Sequence, residues 1–115
     1  MSDAAGRVRH EGLRQKIISA EQAAEFIQNG MTIGISGFTG AGYPKAVPGA
    51  VAAKAEAAHA KGEAFKIRMI TGASTADERD GVLARANAIE FRSPFQSDPT
   101  LRNQINAGDA AYMDV

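Results

Sequence analysis

Cysteine is absent from this 115-residue chain. Disulfide bridges and thiolate-ligated metal centres are therefore excluded, and the composition agrees with a reducing compartment without requiring one. An excess of charge of either sign is also missing: 13 Lys and Arg face 13 Asp and Glu. No broad basic field points to nucleic acid or to an acidic membrane surface. The single basic cluster, Arg7 to Lys16, is broken by Glu11 and by apolar residues. Long apolar runs are lacking, since nothing approaches the ~18 residues of a membrane span. The opening Met1-Ser2-Asp3-Ala4-Ala5-Gly6 has no apolar core of a secretory signal. Histidine is scarce, and neither His10 nor His59 has a partner at ligand spacing, so no metal site is expected. These absences leave a soluble, cytoplasmic α/β protein of one domain, or part of one, as the expectation.

What is present is organised around Ser36-Gly37-Phe38-Thr39-Gly40-Ala41-Gly42-Tyr43-Pro44-Lys45. The apolar run Met31 to Ile35 leads into this stretch, and an Ala-rich run from about Ala46 to Ala60 leads out of it. Strand, glycine turn and helix in that order can cradle an anionic or carbonyl-bearing group at the helix N-terminus. The spacing is G-x-x-G-x-G, not the G-x-G-x-x-G of dinucleotide binding, and Lys45 stands too late for a P-loop. Spacing alone leaves an anion cradle and a ligand-free tight turn both open.

The chain reads in order as follows. Residues 1–12 are expected to form a flexible arm, with the domain occupying 13–115. Ser19 and Gln22 form a capping-box pattern that starts a helix, with Ala23, Ala24, Phe26 and Ile27 as its apolar stripe and Gly30 closing it. Met31 to Ser36 is a buried strand. Pro44 suits the first turn of the following helix, Pro48 its start or first turn, and Gly62 its end. Phe65 to Thr71 is the second strand, with Phe65, Ile67 and Met69 on one side. The two strands and their helix make a βαβ unit with an open, mostly parallel sheet flanked by helices.

Gly72-Ala73-Ser74-Thr75 is then a second strand-end loop on the same sheet edge, where open parallel sheets collect ligands. Asp80-Gly81 is read as loop punctuation, and Asp77, Glu78 and Asp80 as a solvated acidic face. A third helix follows, with Val82, Leu83, Ala86 and Ile89 inward. Arg92 to Asp98 is extended loop. Asp98-Pro99 caps a fourth helix containing Leu101 and Ile105 and closed by Gly108. Ala111 to Val115 is the third strand, and a chain ending there reads as truncated.

Among these residues Ser74 and Thr75 could hold a carboxylate or carbonyl oxygen, although their types favour a local turn. Gln96 and Ser97 can reach a ligand or solvent, and Asp98 is a cap rather than a catalyst. No nucleophile elbow is present, because Gly34-Ile35-Ser36-Gly37 lacks the residue between serine and the second glycine.

Four ordered segments together resemble one family. They are Ser19 to Ala24, Gly34 to Pro48, Thr71 to Thr75 with Asp80 to Ala84, and Arg92 to Asp98 with Leu101-Arg102 and Ile105 to Gly108. This set is similar to the N-terminal part of the acetyl-CoA hydrolase/transferase family, class I CoA-transferases that include succinyl-CoA:acetate CoA-transferases. Two positions depart from the pattern: Ala76 replaces a glycine and Gly49 a larger apolar residue.

The resemblance implies a partial CoA-transferase domain from a protein four to five times longer. It implies CoA transfer between an acyl-CoA and a small carboxylate through a glutamyl-CoA thioester. No motif here matches the attacking glutamate, so no catalytic residue is assigned. Gly37, Phe38, Thr39, Gly40 and Gly42 are expected at the wall of the substrate site, and Ser74, Gln96 and Ser97 at the carboxylate. Coenzyme A enters as substrate, no other cofactor is expected, and the full-length enzyme is expected to be a homo-oligomer. The isolated chain is expected to be inactive. A different class stays open beside it, a non-catalytic α/β module that binds a small anion or assembles with itself.

Overall fold

The computed structural model describes residues 4–37, 42–74 and 77–114. Two single-turn helices, α1 (Ala4–Arg7) and α2 (Glu11–Arg14), come first among the described elements. Ile17 and Ile18 after them are exposed. Helix α3 (Ala20–Glu25) starts as its residues dictate. Gln22 N donates to Ser19 Oγ at 3.1 Å and Ser19 N to Gln22 Oε1 at 2.9 Å. Phe26 does not join the apolar stripe and is 74% exposed. It lies two residues beyond buried Ala24, roughly 200° around the helix and so on the opposite side.

Strand β1 (Thr32–Ile35) leads through the glycine turn to α4 (Val47–Ala60). Pro48 sits in the first turn, where no amide is missed, while Pro44 falls in the loop ahead of the helix. Strand β2 (Ile67–Thr71) follows, and Phe65, Ile67 and Met69 are buried as their alternation requires. Helix α6 (Pro99–Ala107) begins with Asp98 accepting from Leu101 N at 2.9 Å and ends at left-handed Gly108, φ +84°.

Between β2 and α6 the structure corrects the sequence reading. Helix α5 (Asp77–Arg85) already contains Asp80 and Gly81, which are not loop punctuation. It stops four residues before Ile89, and Asn87 at φ +54° turns the chain. Ile89 therefore opens a strand, β3 (Ile89–Ser93), and does not line a helix. Arg92 and Ser93 belong to that strand and not to a loop. The strand at the C-terminal end, β4 (Ala111–Tyr112), is thus the fourth. Asp80 is fully buried, the reverse of a solvated face.

The described strands form one parallel sheet in the order β1-β2-β3-β4. Crossovers of one hand that step in one direction set their helices on one face. Val51, Ala52 and Ala55 of α4, Leu83 and Ala84 of α5 and Leu101 of α6 form one core with Ile67, Met69 and Ile89 of the sheet. The alanines of α4 let that helix lie close to its neighbours. The other face is open: Ile70 is 53% exposed, and Arg68 lies over the Phe91 ring at 4.4 Å while pairing with Glu90 at 3.5 Å. Among the described residues no helix is long and apolar enough to cross a membrane.

A bulge decides which β3 side chains reach the core. Ile67 pairs with Ile89 but Arg68 with Phe91, so Glu90 is the extra residue. Simple alternation would place Phe91 beside Ile89 in the core and Arg92 outside. One inserted residue reverses every later position, so Arg92 points in opposite Met69 and Phe91 points out opposite Arg68.

Candidate functional site

The carboxyl ends of β1, β2 and β3 converge on one edge, and the loops that leave them carry the residues expected to bind substrate. Gly37 follows β1 at φ +113°, a backbone state that suits glycine. A Cβ there would lie 2.4 Å from Tyr43 Cβ and 2.5 Å from its backbone nitrogen. The missing side chain thus lets the turn fold back on buried Tyr43. Gly72, just beyond β2, approaches the same turn, with the Gly37 carbonyl oxygen 3.3 Å from where its Cβ would stand. Gly42 is exposed. Phe38, Thr39 and Gly40 lie outside the described residues, as does Thr75.

The second and third loops are joined by backbone pairing that continues the sheet. Ser74 N donates to Phe95 O at 3.0 Å, and Ser97 N donates to Ser74 O at 3.1 Å. Ser74 thereby pairs in parallel with Gln96. Ser74 is completely buried, Gln96 nearly so and Ser97 half-buried. Residues 23 positions apart, Ser74 and Ser97, are brought to one spot by this pairing. The Gln96 Oε1 is buried with no hydrogen-bond partner among the described residues. An unpaired buried carbonyl of this kind is costly unless something donates to it. Gln96 also lines a shallow cleft of about 240 Å³ with Phe95, Arg102, Asn106 and Tyr112. A second cleft, about 290 Å³, lies between edge strand β1 and α4 among Ile33, Ile35, Val47 and Val51. None of the expected site residues that are described lines it, and Ser36 is the one side-chain hydroxyl among its mostly apolar described walls.

Beneath the loops is a cluster that sequence reasoning missed, Arg79, Asp80 and Arg92, all 0% exposed. Asp80 Oδ1 accepts from Arg92 Nη1 at 2.9 Å and, more weakly, from Arg79 Nε at 3.4 Å. Arg79 Nη1 donates to Ser36 O at 3.1 Å and to Thr71 Oγ1 at 2.8 Å. Its guanidinium also faces the Tyr43 ring, 5.2 Å from the centroid. Arg92 donates from Nη2 to Gly72 O and Phe95 O, each at 3.2 Å, and from Nε to Pro94 O at 3.1 Å. Burial pushes the Arg92 guanidinium below its ordinary pKa, Asp80 opposes that shift, and the neighbouring Arg79 adds to it. Arginine nevertheless stays protonated in a folded protein. Among the described residues the cluster therefore sets two guanidinium groups against one carboxyl group in a dry setting.

The only sequence signal for this cluster was Arg92 itself, set in a run with Ile89 and Phe91. A strand reading of that run, with parity reversed by a bulge, is required before Arg92 turns inward. His59, considered above for metal binding, has Nε2 3.0 Å from Phe65 O. It lies at the far end of α4 from the site.

Comparison with known proteins places these features in a family context. Residues 1–115 match the model of the acetyl-CoA hydrolase/transferase N-terminal domain. The chain is similar to the succinyl-CoA:acetate CoA-transferase of Clostridium kluyveri, 43% identical over 109 residues, covering 95% of this chain and 20% of that protein. It is similar to the propanoyl-CoA:succinate CoA transferase of Escherichia coli, 41% identical over 98 residues, covering 85% of this chain and 20% of that one. A third relative is the acetyl-CoA hydrolase of Schizosaccharomyces pombe, 32% identical over 109 residues, covering 94% of this chain and 21% of that one. The chain thus spans about a fifth of the length of the curated relatives it matches.

Proposed function

The chain belongs to the acetyl-CoA hydrolase/transferase family, and from that premise we propose that its strand-end loops form the carboxylate-holding wall of an acyl-CoA site. In this reading the whole protein moves CoA between an acyl-CoA and a small carboxylate. A glutamate supplied from outside these residues attacks the thioester carbonyl, giving an acyl-glutamyl anhydride and CoA thiolate. The thiolate attacks the glutamyl carbonyl, releasing the first carboxylate and leaving a glutamyl-CoA thioester. The acceptor carboxylate reverses the sequence. Covalent catalysis of this kind divides one difficult step into easier ones. The wall would hold the carboxylate while fixed donors in a site shielded from water stabilise developing negative charge.

The observation that carries this reading is the pairing of Ser74 with the Gln96-Ser97 loop. It sets two hydroxyl residues and the buried Gln96 amide on the edge where parallel sheets bind ligands. The serine hydroxyls and the Gln96 amide NH2 are donors from which a bound carboxylate can accept, whereas a carboxylate has no proton to give Gln96 Oε1.

The test is a chimera in which this chain replaces the matching fifth of the Clostridium kluyveri transferase. The chimera should retain CoA transfer from succinyl-CoA to acetate. Ser74→Ala and Ser97→Ala should each raise the acetate KM, by about tenfold for the loss of a hydrogen bond to a charged group. The 115-residue chain by itself should show no turnover. An unchanged acetate KM in both serine variants would remove the site assignment.

A further inference from the structure

Resting on that reading, we infer that Arg79, Asp80 and Arg92 are the positioning residues of the carboxylate wall. Each arginine joins two strand ends. Arg79 ties the end of β1, through Ser36 O, to the end of β2, through Thr71 Oγ1. Arg92 ties the loop after β2, through Gly72 O, to the loop after β3, through Pro94 O and Phe95 O. Asp80 links the two guanidinium groups through a single oxygen. The three loops that carry Gly37, Ser74, Gln96 and Ser97 are thereby held by one connected set of bonds.

The bonding pattern is specific to this task. Phe95 O accepts from Arg92 Nη2 and also from Ser74 N, so the arginine grips the same peptide that seats Ser74. Arg79 lies against Tyr43, the residue onto which the Gly37 turn folds. A buried ion cluster is weak as a source of stability, since desolvation offsets the Coulombic gain. Apolar side chains in these places would fill the volume at less cost. What they could not do is accept a fixed relation between three loops, because only a planar fork of donors bonds several carbonyls at once.

Lysine in place of either arginine keeps the charge and loses the fork. In the chimera described above, Arg92→Lys and Arg79→Lys should each raise the acetate KM by about tenfold, as expected when a bound group is displaced by a fraction of an ångström. A role confined to holding the fold would lower the yield of active enzyme and leave KM where it was. Thr71→Val removes one partner of Arg79 with little change of shape, and should raise the acetate KM about threefold. That variant carries the test if the lysine variants do not fold. An acetate KM within twofold of the parent in the lysine variants, or in Thr71→Val where those do not fold, would overturn the inference. Ser74→Ala separates the two levels. If it raises KM and the arginine and threonine variants do not, the wall stands and the positioning role falls. If both it and Ser97→Ala leave KM unchanged, or if the parent chimera is inactive, the wall itself is refuted and this inference with it.

Discussion

The covered face of the sheet is held in two different ways along its length. Toward the amino ends of the strands, Ile67, Met69 and Ile89 pack against Leu83 and Leu101 with no polar group among them. Toward the carboxyl ends, the same layer is filled by Arg79, Asp80 and Arg92, joined to one another and to five loop or strand oxygens outside the cluster. Burial is equally complete in both regions. The difference lies in what each tolerates. Dispersion and the hydrophobic effect have little direction, so the apolar end needs only the right volume. Hydrogen bonds to buried charges require fixed geometry, so the polar end sets the relative placement of three loops.

Substitutions in the two regions should therefore diverge. Asp80→Ala strands two buried guanidinium groups and should cost about 3–5 kcal/mol, the range for a buried ion pair left with one partner. Urea unfolding of the variant against the parent measures it. Leu101→Ala deletes a wholly buried side chain from the apolar end and should cost about 2–5 kcal/mol. Leu101→Met should cost under about 1.5 kcal/mol because volume is conserved, whereas no isosteric replacement should rescue Asp80 so well. If Asp80→Asn proves as mild as Leu101→Met, the contrast between the regions is broken.

Gly37→Ala tests the loop above the cluster. Its backbone state alone should cost about 1–3 kcal/mol, with the Tyr43 contact adding to that, so the unfolding midpoint should fall clearly. Asp98→Ala removes a helix cap and should cost about 1 kcal/mol, read in the same assay. Glu90→Gln marks the lower end. It breaks an exposed pair with Arg68 on the open face and should shift stability by under about 1 kcal/mol, less in high salt. A loss comparable to that of Asp80→Ala would mean that the open face is not the solvated surface it is in this structure.

The same contrast explains what could be read from the residues. Local devices were legible because their partners lie within one turn: the Ser19–Gln22 box, the Asp98 cap and left-handed Gly30, Gly62 and Gly108. Strands β1 and β2 were legible from alternation and the glycine turn from its spacing, but β1, read as a buried strand over Met31 to Ser36, is an edge strand with no wholly buried residue because only one side of it is paired. Strand β3 was not. Its run, Ile89-Glu90-Phe91-Arg92-Ser93, contains one bulge, and periodicity cannot show where an extra residue sits. Misplacing that strand turned Asp80 from a core residue into a surface one and hid Arg92 in a supposed loop.

The sequence by itself therefore determined the α/β class, the capped helices, the first two strands and the identity of the loops at the sheet edge. Each of these follows from residues close along the chain. The tertiary structure decided which way Arg92 faces, which groups Asp80 meets, and that Ser74 and Ser97 lie side by side. Those outcomes depend on strand register and on the low-dielectric burial of charges. Both are set by partners distant in sequence, which no local pattern encodes.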